Sequence, residues 1–311
     1  MGMRSLELFP QWAASLVELG VNPEFQQNGV LRLAFTEDEV EELRGLYGWQ
    51  SELGLGVQWL DAGGVSEREP RCNSEVLAAV FSPEEGCIRG QRFCDSLAHA
   101  AGRLGARLHE RTEVTALIHE GGRVSGIETT AGSIAAGHVV LAAGPWSGIG
   151  GRWTAPGGPL HLPVRGVKGQ RILLRRPGFM PRTPVRNSSV YVAPRLDGNI
   201  LVASTREEGR TDETVTAEGV ATLISGAMMS FPMLSDAVFV GGRAGVRPAT
   251  PNGRPIIGPV SGVDGLTVAT GHDAVGIMLS PGTAELVVNW LLDGAREPLE
   301  SFLPDRFLSA R

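Results

Sequence analysis

His138-Val139-Val140-Leu141-Ala142-Ala143-Gly144-Pro145-Trp146-Ser147 is the stretch on which the fold turns. A short apolar run passes into a glycine and then into a helix start. Buried strands of α/β sheets end in this way, opening backbone toward a ligand. Before it lie three alternating stretches, TEVTALIHE (112–120), GRVSGIETT (122–130) and GSIAAG (132–137), with hairpin turns at Gly121-Gly122 and Ala131-Gly132. After it comes GGRWTAPGGPLHLP (150–163), whose glycines and prolines mark a crossing between domains.

Further out the period changes. Met3, Leu6, Phe9, Trp12, Ala13, Leu16 and Leu19 fall at helical spacing closed by Gly20. Residues 29–35 read as a strand, 37–46 as a charged helix capped by Thr36, 66–70 as a helical turn and 89–103 as an amphipathic helix, with Arg107-Leu108-His109 as the strand after it. Between 164 and 240 the runs RILLRR, SVYVAPR, ILVAST and AVFVGG alternate as antiparallel strands do, interrupted by one helix near 217–229. Leu266 to Ala269 reads as a strand and GHDAVGIMLSPG as a loop. A last helix then follows, with Thr283 as its cap.

Composition narrows the function. Glycine supplies 42 of 311 residues, about 14% against the usual ~7%, which suits tight turns and close backbone approach. Lys+Arg 28 against Asp+Glu 34 gives −6, so there is no electrostatic footprint for a nucleic acid. Cys72, Cys87 and Cys94 have neither disulfide nor metal spacing, and the six histidines are scattered, so no metal is expected. No apolar run approaches the ~20 residues of a membrane span. MGMRSLELFP lacks the layout of a signal peptide, and Leu6 stands where a myristoylation signal has Ser or Thr. A cytoplasmic protein without a membrane partner is expected, its homo-oligomerisation left open.

Two runs carry chemistry. In Gly271-His272-Asp273-Ala274-Val275-Gly276-Ile277-Met278 a strand, a glycine-rich loop and a helix N-terminus present N–H groups and a positive dipole end. An ordinary strand-to-helix loop reads the same way. In GGRAGVRPATPNGRPIIGP (241–259) Arg247 stands on a base stiffened by Pro248, suited to capturing a carboxylate. A surface or interdomain salt bridge is the alternative for Arg247.

Together with FSPEEGCIRGQRFCDSLAHAA (81–101), VVLAAGPWSG (139–148), PVRGVKGQ (163–170), SVYVAPRLDGNILVAST (189–205) and the GHDAVGIMLSPGTAEL loop (271–286), these runs occur in one order along nearly the whole chain. The chain so resembles the glycine oxidase branch of the D-amino-acid oxidase family of FAD-dependent oxidoreductases. The resemblance implies an α/β (α+β mixed) fold: an FAD-binding Rossmann-like lobe from residues 1–21, 79–152 and 241–311, and a substrate lobe on an antiparallel sheet from 22–78 and 153–240. It implies FAD contacts from Val114 on the adenine side, from Ala142, Ala143 and Gly144, and from His272, Asp273, Ala274, Val275, Gly276, Ile277 and Met278 along the flavin. Arg247 would bind the substrate α-carboxylate and Tyr191 would line the pocket, a core aromatic being the bland reading of Tyr191. The implied reaction moves hydride from Cα of a small amino or imino acid to flavin N5. The imine hydrolyses, and electrons pass to oxygen as hydrogen peroxide or to a protein acceptor. A place in thiamine biosynthesis goes with this branch.

Two departures stand out. The family opens with a Gly-x-Gly-x-x-Gly strand–turn–helix unit that holds the ADP half of FAD. Here Gly54/Gly56 meets Trp59 and Gly148/Gly150 meets Trp153, so the spacing never occurs. A late start at an internal Met and a natural fragment both fit. The expectation is a truncated Rossmann unit that binds FAD weakly and aggregates through the edge of strand 138–143, rescued by roughly 50 upstream residues. Second, Ala274 stands where glycine oxidases carry arginine, which looks closer to amine and imino-acid dehydrogenases. An oxidase, a dehydrogenase feeding a partner and a flavin-free binding module remain in contention.

Overall fold

The computed structural model of the chain describes residues 1–148, 153–155 and 158–307. Helix α1 (Gly2–Glu18) buries Ser5, Phe9, Ala13 and Leu16 as one stripe. After β1 (Val30–Ala34), α2 (Glu37–Glu52) opens at Thr36, whose hydroxyl accepts from the Glu39 amide at 3.3 Å. Then come β2 (Gln58–Asp61), α3 (Ala62–Arg68), β3 (Ala78–Ser82) and α4 (Gly90–Arg103). Asp61 caps α3 through the Gly64 amide at 2.8 Å, so the expected turn at 66–70 is only the end of a longer helix.

Residues 107–109 form no strand: Leu108 lies 56% exposed between Arg107 and His109, which are themselves exposed, and none of the three pairs with a strand. The meander follows as β4 (Val114–Glu120), β5 (Arg123–Thr129) and β6 (Gly132–Ala135), and then the short β7 (Val139–Leu141). The crossing segment holds a two-residue hairpin, β8 (Thr154–Ala155) and β9 (Gly158–Pro159), while 149–152 lie outside the described residues. Next come β10 (Arg165–Arg175), β11 (Val185–Arg186), β12 (Tyr191–Pro194), β13 (Ile200–Ala203), β14 (Glu207–Glu208), α5 (Ala217–Ser230) and β15 (Val238–Ala249). The chain continues through β16 (Ile256–Val260), β17 (Val263–Thr270) and α6 (Gly276–Asp293).

The architecture is mixed α/β. The larger sheet takes β1, β2, β3 and β10–β15, and β1 runs parallel to β11 but antiparallel to β3. Most of β3 (Ala78–Ser82) and of β15 (Val238–Ala249) in this sheet therefore lies beyond the expected ends of the substrate lobe at 78 and 240, in segments expected to belong to the FAD-binding lobe. One face of the sheet buries Leu31, Ile172, Val192 and Val202 against Leu223, Ala227 and Phe231. Register puts Arg243, Arg171, Ala203, Tyr191, Arg186 and Arg32 in one transverse row on the other face. In the smaller sheet β17 lies between β16 and the parallel β7, and β5 joins β17 to the β4–β6 meander. Among the described residues β7 pairs on one side alone, and Val140 is 40% exposed there.

Helix α6 starts at Gly276, so Thr283 is an interior residue rather than a cap. Pro281 lies inside this helix and is absorbed because the Ser280 hydroxyl donates to the Ile277 carbonyl at 2.8 Å, the group that an amide at 281 would have reached. The Gly282 amide donates to Ser5 Oγ at 3.0 Å, fastening α6 to α1. Contrary to the sequence reading, the 21 residues Asp273–Asp293 are long and apolar enough to cross a bilayer by length and composition. Their contacts with α1, β16 and β17 make them a packed helix of this domain.

Candidate active site

The parallel neighbours β7 and β17 end side by side, Leu141 opposite Val268, and both open into glycine-containing loops. Thr270 Oγ1 donates to the Gly144 carbonyl at 2.9 Å and so joins the Ala142–Gly144 turn to the Gly271–Met278 loop. Gly271 has φ +77, and a Cβ there would strike Thr250. The loop runs through a 3-10 turn, Asp273–Val275, into α6, whose N-cap Val275 has no side-chain cap. The first amides of α6 therefore face outward, with the positive end of the dipole behind them. Around them Val275 (40%), Ile277 (44%), Met278 (41%) and Trp146 (52%) are exposed. Val114 stands apart, at the start of β4 on the second core.

Asp273 does not face open solvent. Arg206 Nη1 donates to both its oxygens, at 3.0 and 3.1 Å. Arg247 lies near this pair but takes no carboxylate. Its guanidinium donates to Ser204 Oγ at 2.5 Å, Thr205 O at 3.0 Å and Lys168 O at 3.4 Å. Three of its five N–H bonds are thus used on neutral acceptors. Burial draws its pKa down, while Asp273 acts in the opposite sense from a distance. The guanidinium lies across Gly169 of β10, where any Cβ would collide with it. A half-buried cation that forms no ion pair among the described residues, beside an uncapped helix end, is suited to receiving an anion.

Tyr191 occupies the same sheet face, paired with Ala203, the residue before Ser204. Its hydroxyl has no hydrogen bond among the described residues, burial raises its pKa, and the Arg186 guanidinium lies 5.9 Å from the ring centroid. Arg247 therefore lies close to the 272–278 loop without bonding to it, within reach of the Asp273 charge, and Tyr191 joins them through the sheet rather than by contact. Sequence reading missed Gly169, Ser204 and Arg206. A glycine flanked by Lys168 and Gln170 inside a strand was the available signal, since such a gap marks close approach of another group.

His272 carries a separate consequence. Burial lowers its pKa from 6.5 to about 4, and Nε2 lies 3.0 Å from Thr283 Oγ1. Below pH 6.5 the unfolded chain takes a proton that the folded chain refuses, so stability falls as pH drops from 6.5 toward 4. The loss levels off at about 3 kcal/mol. Urea midpoints measured across that window should slope for the native chain and flatten for His272→Gln. Equal slopes would remove His272 as the cause.

Against known proteins, a family profile described as DAO, FAD dependent oxidoreductase, matches residues 2–290. Glycine oxidase of Geobacillus kaustophilus is 35% identical over 293 residues, 93% of this chain and 76% of that protein. A crystal structure of glycine oxidase from Geobacillus kaustophilus superposes with a TM-score of 0.90 at 33% identity, covering 97% of this chain and 81% of the other. The bifunctional protein ThiO/ThiG of Trichormus variabilis is 31% identical over 303 residues, 96% of this chain. The chain spans 44% of the length of that bifunctional relative.

Proposed function

The chain belongs to the FAD dependent oxidoreductase family, and on that premise we propose that it oxidises the C–N bond of a small amino or imino acid. The observation that carries this reading is Arg247, a half-buried cation with no carboxylate partner among the described residues, set beside the open end of α6. The relatives named glycine oxidase support the same substrate class.

The described residues fit the ring end of the cofactor. The uncapped amides of α6 suit an electron-accepting ring, and Val275, Ile277 and Met278 form an apolar wall for it. Ala142, Ala143 and Gly144 lend a backbone with little side chain to approach, and Val114 is assigned to the adenine side. Bound there, FAD supplies the two-electron acceptor for the Cα–H bond. Arg247 holds the α-carboxylate and so fixes which hydrogen faces the ring. Tyr191 walls the pocket with its free hydroxyl. The substrate amine, delivered as free base, furnishes the electron pair, so the chain needs no general base; His272 stays neutral at working pH. The imine hydrolyses to an oxo-acid and ammonia.

Oxygen is the proposed final acceptor. A second reading, electron delivery to a protein partner, is favoured by the exposed Ala274, which stands where the resemblance to glycine oxidases leads one to expect arginine. The test loads the protein with FAD and adds glycine, other small amino acids and proline under nitrogen. The visible absorbance should bleach with one of them and return with air. Bleaching that only a dye reverses selects the partner reading, and no bleaching with any substrate sinks both.

A further inference from the structure

Beside Arg247 on the same sheet face lies a cavity of about 280 Å³ whose wall holds four arginines: Arg89, Arg171, Arg195 and Arg243. Two acids offset part of this charge, since Arg89 pairs with Glu24 at 3.2 Å and with Asp197 at 3.4 Å. Arg171 and Arg243, directly opposite one another on β10 and β15, have no acidic partner among the described residues. Burial, and then each other's charge and that of Arg89, depress the pKa of Arg171; Arg195 responds in the same way to burial, Arg171 and Arg89. Three half-buried arginines and the exposed Arg243 thus face two carboxylates, a standing cost for the half-buried charges unless an anion enters.

Position ties this cavity to the carboxylate site. Arg247 lies across Gly169, and Arg171 follows two residues later on the same face. One pleat repeat, roughly 7 Å along the strand, therefore separates Gly169, over which the Arg247 guanidinium lies, from the backbone of Arg171. On its other side the cavity reaches the flavin loop: Arg89 and Gln91 flank Gly90, and a Cβ on Gly90 would strike Ile277.

Resting on the oxidase reading above, we propose that the cavity is a second anion subsite that selects substrates with two carboxylates. These are amino or imino diacids of the size of aspartate or glutamate. Arg247 takes the α-carboxylate, and Arg171 with Arg243 takes the distal one while Arg195 and Arg89 supply field. The bidentate habit of guanidinium suits two facing arginines to one carboxylate. Gly241, opposite Leu173, keeps the wall bare so that the distal group can lie against it.

Titration calorimetry on the full 311-residue chain, without flavin, compares succinate with butyrate, which differ only by the second carboxylate. Succinate should bind at least tenfold more tightly. Arg171→Met with Arg243→Met should bring succinate down to the butyrate level without moving butyrate, whereas Arg247→Ala should weaken both. Equal affinities on the unmodified chain overturn the subsite even if the double variant fails to fold, and so does a preference that survives in a folded double variant. No flavin or turnover enters this measurement. Failure of the bleaching test therefore leaves its outcome readable, and failure here leaves the oxidase reading intact.

Discussion

Replacing Arg247 by alanine in the FAD-loaded protein is expected to raise KM for the amino acid by about 2–5 kcal/mol in binding terms, on the order of thirtyfold to several thousandfold. Its three contacts to Ser204, Thr205 and Lys168 are to neutral oxygens, so its removal leaves no orphaned carboxylate and the fold should survive. Gly169→Ala is the sharper test. The added methyl occupies the place of the guanidinium and pushes it aside without removing charge. It should raise KM by a similar factor, and the two changes combined should cost hardly more than either alone, because both act on one interaction. A normal KM in Gly169→Ala would show that Arg247 does not read the carboxylate from this position.

Asn187→Ala is expected to have the largest effect on stability. This buried amide donates to the Gly226 carbonyl at 2.8 Å and to Ser230 Oγ at 2.9 Å, and accepts from the amides of Ser189 at 2.9 Å and Val190 at 2.8 Å. It fastens the turn between β11 and β12 onto α5, one step before Tyr191. Truncation leaves several buried backbone groups unpaired, at about 3–5 kcal/mol in all. Urea unfolding should report that loss through its midpoint with an unchanged slope. A cost below about 1 kcal/mol would mean that water replaces the amide.

The parts of this molecule written in local pattern were legible from sequence. The stripe of α1, the Thr36 cap, the glycine turns of the meander and the strand–glycine–helix run at 138–147 each depend on residues within a few positions of one another. What failed was decided by distant partners. Thr283 resembles a cap until Ser280 and Ser5 are seen to satisfy the groups around Pro281. Arg107-Leu108-His109 has a strand's alternation but pairs with no strand. The site divides in the same way. Arg247 and the 271–278 loop announce themselves through proline and glycine, whereas Arg171 and Arg243 gain meaning only from the register of β10 with β15. No spacing within either strand reveals that they face each other.

The pairing of β1 with β11 has a consequence in time. Leu31 lies opposite Val185, so 154 residues separate two neighbours in the centre of the larger sheet. At about 5–20 residues per second, a ribosome needs roughly 8–30 s to deliver the second after the first. Throughout that interval the nascent N-terminal segment can close only on the β2–β3 side and offers the other flank of β1 to whatever is near. Slowing synthesis between codons 34 and 185 would lengthen the vulnerable period rather than help folding.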